Sequence, residues 1–106
     1  MSTNLSISTS TRTTAGAARF PLGQTFITPG AQEAIREAGQ LPLEFLKRHQ
    51  SGDWGDFCGE DKRENEFSIA NGFRILSKYR TTEGEALYII TESDRSATTI
   101  LLPSEY

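Results

Sequence analysis

At 106 residues with one cysteine and a net charge of −3, the chain has room for one ordinary domain; an intramolecular disulfide and a multi-cysteine zinc site are excluded. No apolar run approaches the roughly 18 residues that span a bilayer, and no basic stretch followed by an apolar one opens the chain, so the expectation is a cytoplasmic protein of a reducing compartment without a membrane partner. Arg12 and Arg19 lie early, which leaves nine basic against 14 acidic residues from Phe20 onward, the opposite of a phosphate-neutralising balance.

Residues 1–19 carry nine Ser or Thr in their first fourteen positions and only Leu5 and Ile7 as sizeable apolar groups. Too little surface can be buried there to offset the entropy of ordering, so the segment reads as a disordered tail and residues 20–106 as a single α+β domain. Gln24 to Thr28 is a short strand candidate, ended by Thr28 as helix N-cap and Pro29 at the first helical position. Ala31, Ala34, Ile35 and Ala38 form one apolar stripe of the helix that follows, and Gly39 stands where a left-handed cap is needed. Pro42 opens a second helix over Leu43–Gln50, with Leu43 and Leu46 on one face and Phe45 with His49 on another.

Gly52 to Phe57 has neither a helical nor a strand period and reads as a loop. A third helix is expected over Glu60–Asn71, with its acidic residues in the first turn and Asn71-Gly72 as its stop. Phe73–Arg80, Ala86–Glu92 and Thr98–Leu102 are strand-like runs separated by turn residues, giving a three-stranded meander. The predicted order is β-α-α-α-β-β-β, a two-layer fold with helices on a small antiparallel sheet.

A three-residue Thr82-Glu83-Gly84 loop would pair Thr81 with Glu85 and set Arg74 against Glu92, Lys78 against Tyr88 and Ile75 against Thr91. A Ser93–Ser96 loop would set Thr91 against Thr98 and Ile89 against Ile100. One face then holds Phe73, Ile75, Ser77, Tyr79, Leu87, Ile89, Thr91, Thr98, Ile100 and Leu102 and is expected to be core. The other mixes Arg74, Leu76, Lys78, Arg80, Tyr88, Ile90, Glu92, Thr99 and Leu101, and is either covered by Phe20–Leu22, the first strand or the Trp54 loop, or a binding surface.

Chemistry-bearing sets are sparse. His49 is the one histidine, and a nucleophilic pair with Cys58 or a metal cluster of His49, Asp53, Asp56 and Glu60 or Glu64 matches no known spacing. Carboxylates in such a segment more commonly cap helices. No catalytic residue, metal site or cofactor is therefore assigned. Trp54, flanked by Asp53 and Asp56, reads either as a core anchor or as a contact for a partner.

Residues 20–106 resemble a family of short plasmid-related proteins of bacterial plasmids and integrated mobile elements. The likeness is carried by Arg48-His49-Gln50-Ser51-Gly52-Asp53-Trp54-Gly55-Asp56, by Glu60 to Glu66, by Gly72 to Ser77 with Tyr79, by Ile89 to Glu92, and by Asp94-Arg95-Ser96 leading to Thr98 through Pro103. It implies a genomic setting and no activity. A looser, fold-level likeness is to the barnase and ParE/RelE-type small ribonucleases, which would imply RNA contact through Arg74, Lys78, Arg80 and Tyr88. The expectation that follows is a non-enzymatic interaction protein binding a protein partner through the Gly52–Phe57 loop, Asp53, Trp54 and Asp56 above all. Its alternatives are an RNA binder or ribonuclease using the sheet face and, for assembly, a homodimer through Leu101 and an edge strand.

Overall fold

The computed structural model describes residues 18–56 and 59–106; the expectations for the N-terminal tail, and those for Phe57 and Cys58, lie outside the described residues. The elements are β1 (Gln24–Ile27), α1 (Pro29–Glu37), α2 (Pro42–Gln50), α3 (Gly59–Asn71), β2 (Ile75–Arg80), β3 (Ala86–Thr91), β4 (Ala97–Leu101) and a terminal 3-10 turn, Pro103–Glu105. The predicted α+β order is present, and the sheet order is β1-β4-β3-β2.

Local chemistry sets the meander. Gly84, at φ +88, closes the Thr81–Glu85 turn, and Thr81 N–H donates to Glu85 C=O at 2.9 Å. From there the register runs Ile75–Thr91, Lys78–Tyr88 and, across the second hairpin, Thr91–Thr98 and Ile89–Ile100, as the turn residues predict. β1 joins β4 in parallel, Phe26 beside Thr99 and Ile27 beside Ile100, so the sheet is mixed. This pairing also places β4 inside the sheet, with β1 and β2 at its edges.

α1 and α2 cover the core face. Ala31, Ile35, Phe45 and Leu46 meet Tyr79, Leu87, Ile89 and Ile100 in one cluster, and Phe20, Trp54 and Ile75 form a second. Thr28 caps α1, its Oγ1 accepting from Ala31 N–H at 3.2 Å, and donates in turn to Glu105 of the terminal turn at 2.5 Å. Two expectations need correction. Phe73 is not core: β2 begins at Ile75, and the Phe73 ring is 53% exposed. Leu43 is likewise exposed, because α2 turns Phe45, Leu46 and His49 to the sheet together.

α3 packs differently from the other helices. Of its 13 residues only Asn65 is buried, and polar ties hold it to the body. Asn65 Nδ2 donates to Leu76 C=O at 2.6 Å, while Leu76 N–H donates to Asn65 Oδ1 at 3.1 Å, so one side chain replaces a neighbouring strand on the outer edge of β2. At the other end of α3, Arg95 sits in the β3–β4 turn at φ +62. Its guanidinium donates to the carbonyls of Ser68, Phe73, Glu92 and Ser93 at 2.8 to 3.1 Å. Asn65→Ala would leave a strand N–H and C=O without partners, at an expected cost of about 1–3 kcal/mol; chemical denaturation measures it, and an unchanged midpoint would show that water replaces the amide.

Candidate functional site

Of the residues singled out in the sequence, Asp53, Trp54 and Asp56 lie in a loop against the outer edge of β2, which carries Lys78 and Arg80; Arg74 lines a cleft beside α3, and Tyr88 lies in β3. The loop continues the edge sealing begun by Asn65: Lys78 N–H donates to Trp54 C=O at 3.2 Å and Asp56 N–H to Lys78 C=O at 2.8 Å. Such an approach requires glycine at position 55, which has φ +80; a Cβ there would lie 1.9 Å from the Lys78 carbonyl oxygen.

Asp53 organises the loop. Its Oδ1 accepts from Gly55 N–H at 3.2 Å and its Oδ2 from Arg48 Nε at 2.7 Å, and the Arg48 guanidinium holds the carboxyl below the usual range. The Tyr79 hydroxyl donates to the Asp53 carbonyl, and Arg48 lies over the Tyr79 ring at 4.4 Å. Asp56 faces Arg80 at 3.4 Å. Trp54, which the sequence left as either a core anchor or a partner contact, is 3% exposed. Its ring stacks on Phe20 at 6.3 Å, lies edge-on to His49 at 6.0 Å, and is unavailable to a partner in this conformation. Its Nε1–H donates to Glu66 at 3.2 Å, and Arg19 grips the same carboxylate through two bonds of 2.7 Å, so Trp54 fixes α3 from beneath.

What this region presents outward is different from what the sequence singled out. Phe67 and Phe73 stack with centroids 5.8 Å apart and planes 17° from parallel, yet remain 59% and 53% exposed. Next to them is a cleft of about 220 Å³ lined by Asp61, Glu64, Asn65, Ser68, Arg74 and Leu76. The helical spacing held a signal for Phe67: it stands two residues from Ile69, and positions two apart cannot share a helix face. Ile69 packs against the Phe20–Trp54–Ile75 cluster, which turns Phe67 outward.

On the sheet face opposite α1 and α2, Arg74 donates to Glu92 at 3.1 Å, and Tyr88 meets the Tyr106 ring edge-on at 5.8 Å. Ile90 and Leu101 are buried at 6% and 7%. Phe20–Leu22 and the Trp54 loop do not cover this face; Phe20 and Trp54 belong to the core side. Arg74 and Arg80 each hold a carboxylate, and Lys78 is half-buried.

His49 heads a buried polar chain. Its Nδ1 lies 2.5 Å from Ser77 Oγ and its Nε2 2.9 Å from Thr91 Oγ1; Thr91 Oγ1 is 2.7 Å from Thr98 Oγ1, which is 2.8 Å from Leu22 C=O. The carbonyl can only accept, so Thr98 donates to it, Thr91 donates to Thr98, His49 donates from Nε2, and Ser77 donates to Nδ1. The imidazole is 0% exposed, and burial lowers its pKa from 6.5 to about 3. A Ser–His pair so enclosed has no route to substrate. No group of three or more metal-ligating side chains forms among the described residues, and no helix there is long and apolar enough to cross a membrane.

No protein-family model matches the chain, and no match was found among curated proteins or solved structures.

Proposed function

We propose that this chain is a protein-binding module without catalytic activity, whose partner meets the surface built by α3 and the 53–56 loop. The observation that carries the reading is α3 itself. Thirteen residues of helix fully bury one side chain, an asparagine spent on the sheet edge; Ser68 and Ile69 are half-buried, Ile69 against the Phe20–Trp54–Ile75 cluster, and the other ten are exposed. Fixing a polar helix on the outside through Asn65, Glu66 and Arg95 costs conformational entropy with little apolar burial in return, an arrangement that makes sense when the helix serves a partner. In this reading Trp54 supports the surface from below, and Asp53 and Asp56 form its rim. The setting on a bacterial plasmid or integrated mobile element, which the resemblance implies, belongs to the same proposal.

The rival reading, RNA contact through Arg74, Lys78, Arg80 and Tyr88, loses force because both arginines of the set already face carboxylates and the domain carries net negative charge. A comparative pull-down tests the choice. Wild type, Glu60→Lys/Glu64→Lys on α3 and Glu37→Lys at the end of α1 are compared after circular dichroism has verified their folds. The expected result is a protein retained by wild type and by the α1 variant and lost by the α3 variant. Retention by all three would remove α3 from the interface, and a salt-sensitive RNA signal would favour the rival.

A further inference from the structure

We propose that the Phe67–Phe73 shelf and the adjoining cleft take a short peptide segment of a partner protein that presents one apolar and one cationic side chain. The inference rests on the protein-binding reading and adds the chemistry of the partner. Two stacked aromatic rings, each more than half exposed, leave an apolar surface that water solvates poorly. Phe73 is followed directly in the chain by Arg74, which lines the cleft, and Phe67 follows Glu64 by one helical turn, so shelf and cleft form one continuous surface.

The charge of that surface sets the sign of the occupant. Arg74 is held by Glu92 across the sheet, so its cation is already balanced. Glu64, which lines the cleft, is exposed and makes no ion pair among the described residues. Leu76 gives the cleft an apolar component, and Asn65 and Ser68 give it polar ones. A lysine or arginine suits this lining because its methylene stem can lie along Leu76 while its charged head stays with Glu64. An acidic segment would meet like charge at Glu64. The shelf then accepts a leucine or an aromatic side chain of the same segment, giving the pairing of a desolvated anchor with a charged rim that marks protein interfaces.

The experiment selects peptides from a random phage-displayed library on the full chain, then measures labelled consensus peptides by fluorescence anisotropy against wild type, Phe73→Ser, Phe67→Ser, Glu64→Lys and Asp56→Lys. Circular dichroism and Trp54 emission report whether each variant is folded; Phe67→Ser and Phe73→Ser address the same shelf, so either can carry the test. The expected result is enrichment of peptides that join Lys or Arg to Leu, Phe or Trp. Binding should weaken by about tenfold or more in a folded shelf variant and in Glu64→Lys, and weaken again as salt is raised. Peptides without a basic and apolar bias, or indifferent to both the shelf and Glu64, would overturn the proposal. If such peptides instead depend on Asp56, the partner chemistry fails while the protein-binding reading stands. If no peptide is enriched and the α3 charge reversals also leave every retained protein in place, both fail together.

Discussion

Lowering the pH from about 7.5 to about 5 should cost the fold about 2 kcal/mol, a loss of roughly 10 °C in Tm, through His49 alone. In the unfolded chain this imidazole takes up a proton as the pH passes 6.5; in the folded chain burial holds the pKa near 3, so the unfolded state binds the extra proton across the interval between. Stability is therefore full above the unfolded value and declines as the pH falls, by about 1.4 kcal/mol per unit once the unfolded histidine is charged. No charged side chain lies among the groups found against the ring: Ser77 and Thr91 bond to its nitrogens, and Phe20 and Trp54 pack against it. The depressed carboxyls of Asp53, beside Arg48, and Glu66, beside Arg19, also lose their contribution on acidification, but only as the pH falls through the ordinary carboxylate range and below. Urea denaturation at several pH values isolates the upper window. In His49→Gln, which keeps a donor and an acceptor without titrating, the curve should be flat there. An equal slope in both proteins would remove His49 as the cause.

Trp54→Ala should be the most damaging single change at the candidate site, with an expected loss of about 3–5 kcal/mol. The alanine would leave a void between Phe20, His49 and Ile75 and remove the donor that helps fix Glu66. The consequence is two-fold: a lower denaturation midpoint, and faster amide exchange along α3 than along β3 and β4. Trp54→Phe separates the parts, since it keeps most of the packing and loses only the indole donor. Because the chain has one tryptophan, its emission is a clean readout in the wild type and should shift to longer wavelength when denaturant exposes the ring. Emission already at the solvent-exposed wavelength in the native protein would contradict the burial on which the prediction rests.

The meander and its register were legible because neighbouring residues dictate them: a glycine in the left-handed position, opposed Arg74 and Glu92, and alternating β-branched residues need no distant partner. The helices were legible for the same reason, through Thr28-Pro29, Gly39 and Pro42. What local chemistry could not supply was how distant segments meet. The parallel pairing of β1 with β4 joins residues more than seventy positions apart, and no turn encodes it. The sealing of β2 by Asn65 and the Trp54 loop was hidden because an asparagine acting as a strand looks like any polar helix residue. In the 53–56 loop, the sequence left Trp54 as either a core anchor or a partner contact, and the ring is internal; Phe73, expected inside, is outside. The phenylalanine was misplaced because strand alternation was extended two residues beyond the point where β2 begins.

Arg95 bears on the order of folding events. α3 has no basic residue in its last turn, and the positive charge near its C-terminal carbonyls comes from Arg95, in the turn between β3 and β4. A mostly polar helix of this length is marginal on its own. Its stabilising cation reaches Ser68 only once the hairpin has closed, and its docking amide reaches Leu76 only once β2 is laid down. The meander, built from short-range pairings, can form first. Helix α3 is thus expected to mature after the meander, and its substitutions should speed unfolding far more than they slow folding.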